Sequence, residues 1–502
     1  MAIERIVIVG GGTAGWMTAA ALSRLSAQRK LSVTLVESEQ IGTIGVGEAT
    51  IPPFLDFNRL LEIDEAEMLS AVQGSFKLGI QFVNWGAIGD SYIHPFGNYG
   101  YQIDGISFHH IWHKYKQAGD KRPIQVFNIE TMAAHLGRFA RTADYQSENL
   151  PPINHAYHID AGRYAKFLRS YSEKRGVVRR EGKVESVNQN SENGYITSVN
   201  MENDDTIDGD LFIDCSGFRG LLIEETLKTG YQDWLNFLPC NRAIAIPSER
   251  NAGEGPLPYT RSTAHSAGWQ WQIPLQHRNG NGHVYASEYM SDNEALDILV
   301  KNISGKKIAE PNFLKFTAGH RNKFWNKNVV AIGLSAGFVE PLESTAIHLI
   351  YTSINKLIAL LCLDGISQTQ EDTFNRLTEK EYNRIRDFII LHYKATNRND
   401  SEFWNYCRNM AVPDTLTEKM ELFRQSGQIF REDDELFTET SWAAVMMGQG
   451  ITMSGHNAMA DAMKEPATKK EIDGIEQSIM HVVQHMPSHG DYLKQYCPAA
   501  KV

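Results

Sequence analysis

IERIVIVGGGTAGW, residues 3–16, sets an apolar run directly before a glycine-rich turn. Residues 3–9 read as a short strand of the kind buried in a parallel sheet. Gly10, Gly11, Gly12, Thr13, Ala14 and Gly15 then satisfy the pattern G-x-G-x-x-G. The first glycine permits a tight turn, and the second lets the backbone approach a pyrophosphate. The third lets helix and strand pack closely, while the helix N-terminus faces the phosphates. Residues 13–29, rich in alanine and leucine, predict that helix, and LSVTLVE (31–37) predicts a second strand. Glu37 lies 22 residues after Gly15, where a carboxylate accepts hydrogen bonds from ribose hydroxyls. A carboxylate there disfavours a 2′-phosphate, which leaves FAD or NAD. The fold class is therefore α/β, opening as a doubly wound, Rossmann-like sheet.

Further along, residues 62–73 predict a helix and SFKLGIQFVNW (75–85) alternates like one half-buried strand. Residues 86–160 lack a clean period and read as loops of a substrate region. A helix is expected at 162–176, then short strands over 177–215 with a turn at Asn193-Gly194. Strands recur over 240–330, and NVVAIGLSAGF (328–338) repeats the strand-then-glycine pattern of the N-terminus. From 345 onward the chain reads as mostly helical, with amphipathic stretches at 371–394 and 415–425. Residues 1–350 are thus expected to form the nucleotide-binding module with inserted strands and loops. Residues 351–502 are expected to form a mostly helical part.

Composition excludes several functions. The 502 residues carry 49 Lys plus Arg against 60 Asp plus Glu, a formal charge of −11, which offers no basic footprint for nucleic acid. No apolar stretch reaches the roughly 18 residues of a membrane span, and no Lys-rich amphipathic segment suggests a membrane surface. The N-terminus enters a strand at once, leaving no room for a signal peptide. Cys215, Cys240, Cys362, Cys407 and Cys497 are scattered without a CxxC pair, which suits reduced thiols in a cytoplasmic protein.

Three strings narrow the chemistry. GVGEATIPP (45–53) is a stiffened loop around Glu48, Ala49 and Thr50 with free backbone amides. WQWQIP (269–274) puts Trp269 and Trp271 on one side of a strand, where core packing is the ordinary explanation. GLSAGFVEPLESTAI (333–347) ends a strand in glycine and starts a helix after Ser344-Thr345, offering amides to an anion or a flavin ring. His109, His110 and His113 have helical spacing, but no Cys or carboxylate lies within that run, so no metal is expected.

Together GGGTAGWM, GVGEATIP, the lysine of Phe76-Lys77, the WxWxIP string and PLEST resemble the flavin-dependent tryptophan halogenase family. DLFIDCSGFRG (210–220) and FIILHY with RND and FW between 388 and 404 extend the resemblance over nearly the whole chain. It implies a flavin-monooxygenase type of fold with an added helical substrate-binding part. It also implies reduced FAD from a separate NAD(P)H-dependent flavin reductase, with oxygen and a halide giving hypohalous acid. That acid passes through a tunnel to Lys77, as a haloamine or as a hydrogen-bonded species. Glu343 matches the carboxylate that positions the electrophile or takes the ring proton, with Ser344 beside it.

For FAD the resemblance carries over Gly11, Thr13, Ala14, Glu37, Gln40, Glu48, Ala49, Val184, Leu334 and Ile347, alongside the remaining glycines of the turn. The halide falls to Thr345-Ala346. Alanine there departs from the family's glycine, and the added methyl puts a preference for chloride in doubt, so bromide is expected to compete well or win. ETSW (439–442) and the small residues after it replace the aromatic cluster that holds free tryptophan. Trp442 is the substrate residue expected there, with Met446 and Met447 lining a soft apolar pocket. Indole or another small electron-rich arene therefore fits better than tryptophan. Two other readings compete. An FAD-dependent aromatic hydroxylase is opposed by Leu334, where such enzymes usually carry an aspartate. A flavin redox sensor would need neither Lys77 nor Glu343.

Overall fold

In the computed structural model, the described residues are 2–26, 31–41, 47–145, 150–251 and 253–500. The opening run forms the strand Arg5–Val9, with four of its five residues buried. It pairs in parallel with Ser32–Glu37 on one side and Leu211–Asp214 on the other. The sheet has six strands, completed by Val178–Glu181 at one edge and by Val329–Ala331 and Trp325–Asn326 at the other. A strand buried on both faces needs apolar residues throughout, which is why IVIV rather than an alternating pattern stands here. The first helix runs Thr13–Ser26, and the rest of the expected 13–29 lies outside the described residues.

The glycine turn is fixed by contact. A Cβ on Gly15 would sit 1.8 Å from the Gly10 carbonyl oxygen, and one on Gly10 would sit 2.2 Å from that of Cys215. Gly10 also has φ +116°, a conformation that L side chains avoid.

A seven-stranded, mostly antiparallel sheet follows, ordered Asn312–Lys315, Arg242–Ser248, Asn279–Tyr285, Gly268–Pro274, Thr260–His265, Gly79–Val83 and Ser91–Pro95. The stretch 75–85 is not one strand. Ser75–Lys77 belongs to a separate three-stranded sheet with Ala156–Asp160 and Gly47–Ala49, whereas Gly79–Val83 joins the large sheet. Between them the Leu78 amide leaves both ladders and bonds to the Pro258 carbonyl. Lys77 thus stands where the chain passes from one sheet to the other. A Cβ on Gly79 would lie 2.4 Å from the His94 carbonyl oxygen, so no larger residue fits at the crossing.

Residues 86–160 are not simply loops. They hold the strand Ser91–Pro95, the helices Phe108–Gln117 and Ile129–His135, and the strand Ala156–Asp160. Phe108 to His113 are all buried, so the aromatic and histidine content that blurred the period is core. The turn at Asn193-Gly194 separates the antiparallel strands Val184–Gln189 and Ile196–Met201. Beyond 345 the chain is helical as expected, with Ala346–Leu360, Gln368–Lys394, Asp414–Ser426 and Glu439–Gly448 among its helices. The helix His489–Tyr496 returns to the strand that carries Lys77, where His489 Nε2 accepts from the Phe76 amide at 3.1 Å. All five cysteines are free. Among the described residues no helix is long and apolar enough to cross a membrane.

Gly15→Ala should be destabilising by about 1–3 kcal/mol, the usual cost of overpacking, and should weaken cofactor binding. Thermal denaturation with and without added FAD reads both effects.

Candidate active site

The glycine turn opens into a cavity of about 1380 Å³. Gly10, Gly11, Gly12, Thr13, Ala14, Glu37, Glu48, Ala49, Val184, Leu334 and Ile347 all line it. Gln40 does not: it is exposed, between Glu39 and Ile41 in the chain, whose side chains do reach the cavity. Gly45 and Val46 of the GVGEATIPP string lie outside the described residues.

The cavity fits a flavin dinucleotide by its own features. A Cβ on Gly11 would fall 1.6 Å from a Glu37 carboxylate oxygen, so the turn and that carboxylate can share a close-fitting ligand only if position 11 is bare. Glu37 is oriented by the Trp16 indole N–H at 3.2 Å and the Arg179 Nε at 2.5 Å. At the other end Trp269 and Trp271, with ring centres 6.1 Å apart, form one wall. They close the cavity as well as packing the sheet.

Pro341, Leu342, Ser344 and Ala346 also reach the cavity. Ser344 has φ +60°, a left-handed conformation that costs a non-glycine residue roughly 1–2 kcal/mol. Its hydroxyl accepts from Lys77 Nζ at 2.8 Å, and the same amine donates to the Thr50 carbonyl at 3.0 Å. Lys77 is fully buried and lies over the Phe96 ring at 5.1 Å. Burial pushes its amine down to about 7, against the opposing pull of the Glu343 charge.

Glu343, next to Ser344, is also buried. Its carboxylate meets His94 Nδ1 at 2.9 and 3.0 Å and His392 Nε2 at 2.8 Å. Burial alone would raise this carboxyl, but the two imidazoles outweigh it and hold it down at about 2. It is therefore ionised at any working pH. Thr345 is buried beside it, and its hydroxyl has no partner among the described residues. The helix Ala346–Leu360 starts at the next residue, so its first amides lack intrahelical acceptors as well.

Trp442 is not beside these groups. It lines a separate cavity of about 490 Å³ with residues of the helices Gln368–Lys394 and Asp414–Ser426. Its ring meets Phe388 edge-on at 4.8 Å, and Phe388 in turn lies 5.7 Å from His94. Met446 is fully buried and belongs to the core.

A family model described as tryptophan halogenase matches residues 5–465. The chain belongs to the tryptophan halogenase family. The tryptophan 6-halogenase SttH of Streptomyces toxytricini is 34% identical over 519 residues, covering 97% of each chain. Among solved structures, Xcc4156, a flavin-dependent halogenase from Xanthomonas campestris, matches at TM-score 0.96 and 45% identity with 100% of both chains covered. BrvH, a flavin-dependent halogenase from Brevundimonas sp. BAL3, matches at 0.95 and 42% with 99% of both covered. The protein is thus a flavin-dependent halogenase that uses FAD in its reduced form, on a Rossmann-like flavoprotein fold. The hydroxylase reading is not favoured.

Several residues of this halogenase's site escape sequence reading. His94 sits in a string without a motif, and His392 lies in FIILHY but was given no role there; they reach Glu343 across 249 and 49 positions. Glu340 is fully buried, and its Oε2 accepts from Trp269 Nε1 at 3.0 Å and Tyr393 OH at 2.5 Å. Burial pushes its carboxyl up to about 7, and its other oxygen has no partner. Only the VEPLEST string hinted at it.

The histidine run also changes meaning. Glu439, from a distant helix, joins His109 and His110 with ligand atoms within 4.8 Å. His109 Nε2 is already bonded to the Gly427 carbonyl, and His110 Nδ1 accepts from the Asn457 amide.

A carboxyl raised to about 7 binds more protons in the folded chain than in the unfolded one between its ordinary value of 4.5 and about 7. Its contribution to stability is therefore lost as pH rises through that window. Glu340→Gln should match the wild type in melting temperature near pH 4.5 and exceed it above pH 7.

Proposed function

We propose that this enzyme halogenates indole or a similarly small electron-rich arene through Lys77 and Glu343. A separate NAD(P)H-dependent reductase would supply its FADH2. The observation that carries the reading is the Lys77 amine, buried and pushed down to about 7, and bonded to the Ser344 hydroxyl that lines the flavin cavity. Bound FADH2 with oxygen supplies the oxidation that turns halide into hypohalous acid. Gly10 to Ala14, Glu37, Glu48, Ala49, Val184, Leu334 and Ile347 would hold that cofactor, with Gly15 letting the turn close.

Thr345 and the helix start at Ala346 suit a halide: a buried hydroxyl without a partner and amides without acceptors are donors awaiting an anion. The Ala346 methyl departs from glycine at this turn and alters its fit, and bromide, more easily dehydrated than chloride, is the preferred ion.

Lys77 as a free amine donates its two hydrogens to Thr50 and Ser344 and keeps a lone pair. That lone pair attacks the halogen of hypohalous acid. An N–X bond forms, the O–X bond breaks, and the amine's proton leaves with hydroxide as water. The arene then takes the halogen from nitrogen, and its ring proton passes through Glu343 back to the amine. A weak base suffices, because a cationic arene intermediate is strongly acidic. Ser344 holds the amine in line.

The named relative acts on tryptophan. In this chain Trp442 lies in a separate cavity and Met446 in the core, and the helix Glu439–Gly448 carries no tyrosine cluster, which favours an arene without an amino-acid handle.

With FAD, a flavin reductase, NADH and an indole panel, we expect halogenated product by mass, with bromide turnover exceeding chloride at matched concentration. Hydroxylated product without halogen would overturn the reading, and equal or faster chloride turnover would overturn the ion preference. Lys77→Ala should abolish halogenation while still binding FAD. Wild-type turnover should rise through pH of about 7 as the amine loses its proton; a rate that falls there would mean that the ammonium is the working form.

A further inference from the structure

The hydrogen bonds around Glu343 require one proton more than two neutral imidazoles and a carboxylate contain. His392 Nδ1 lies 2.8 Å from the Phe388 carbonyl oxygen, which can only accept, so Nδ1 carries a hydrogen. His392 Nε2 lies 2.8 Å from Glu343 Oε1, and that contact needs a second proton between two lone-pair atoms. His94 Nδ1, at 2.9 and 3.0 Å from the same carboxylate, needs a proton of its own. Three protons are demanded where neutral rings and an ionised carboxylate supply two.

We propose that His392 is a permanent imidazolium, a positioning residue that keeps Glu343 ionised and fixed and makes the His94–Glu343–His392 trio electrically neutral. The inference rests on the reading of Glu343 as the carboxylate that serves the arene. The Glu343 carboxyl, held at about 2, leaves the shared proton on the ring rather than on oxygen.

The surroundings fit a fixed ion pair. Phe82, Trp85 and Phe388 pack around His392 with ring centres at 4.8, 6.1 and 5.2 Å, which keeps water from competing for the proton. The other titratable groups that feel the Glu343 charge are Lys77 and Tyr92. The Tyr92 hydroxyl is buried without a partner, and the described ion pairs of Glu343 are with His94 and His392 alone. With the trio neutral overall, the pull of the Glu343 charge on the Lys77 proton is offset by the cation beside it. The cation at His392 thereby allows a free amine and an ionised carboxylate to coexist in one dry site.

Two measurements test this. In the FAD-loaded enzyme labelled with ¹⁵N-histidine, one ring should stay protonated on both nitrogens from about pH 6 to 9, beyond the range of an ordinary imidazole. Its signal should vanish in His392→Gln and titrate normally in Glu343→Gln. Absence of such a ring would overturn the proposal, whatever the enzyme's activity.

Second, His392→Gln keeps a donor to Glu343 but no charge. Bromination of indole should then fall about 10²-fold in kcat, the scale of a displaced acid–base group, with KM nearly unchanged. Because the lost cation lets the Glu343 carboxyl rise, a new acid limb should appear in the pH profile. A merely structural role would lower the rate without adding that limb, and an unshifted profile would overturn the proposal. If the wild type fails to brominate indole, the functional reading falls while the ring signal still decides the protonation of His392.

Discussion

The hydrogen bond from Lys77 to Ser344 spans 267 positions and joins the two halves of the site. One partner ends a strand of the small three-stranded sheet, and the other sits in the turn that starts the helix Ala346–Leu360. Without this contact the left-handed backbone at Ser344 would lose the partner that helps to hold it. The turn at Ser344-Thr345, the Glu343 carboxylate and one end of the large cavity all hang on the same few residues.

The charges follow from that placement. A lysine and a glutamate buried a few residues from a turn would ordinarily form an ion pair, each holding the other charged. Here the carboxylate is already satisfied by two imidazoles, and Lys77 spends its hydrogens on a carbonyl and a hydroxyl. Burial then acts on the amine almost unopposed. Glu340, three positions earlier and without a cation, shows the contrast: burial raises its carboxyl, whereas the imidazoles hold that of Glu343 down.

Much of this was legible in the residues. The glycine turn, Glu37, Lys77, Glu343 and the helix start after Thr345 lie in contiguous strings whose chemistry is local. The missed parts are those made by distant chain segments meeting. His94 looks like an isolated histidine, and His392 like one letter of FIILHY, until folding brings both to one carboxylate. The break at Leu78 was invisible because the alternation continues across it, and only the Pro258 carbonyl draws that amide out of the ladder. Residues 86–160 read mostly as loops, apart from the helical spacing of His109, His110 and His113, because aromatic and histidine side chains carry weak helical preference, which packing overrides. Trp442 was placed beside the substrate groups by its motif, yet Phe388 stands between it and His94.

The bond from the Phe76 amide to His489 gives the site an order of assembly. A chain grows from its N-terminus, so the glycine turn and its first strands are made early. The acceptor that finishes the strand beside Lys77 is made 413 positions after its donor. Synthesis therefore supplies the glycine turn early and the support beside Lys77 much later. A chain interrupted between the two would own the glycine turn without the acceptor of the Phe76 amide.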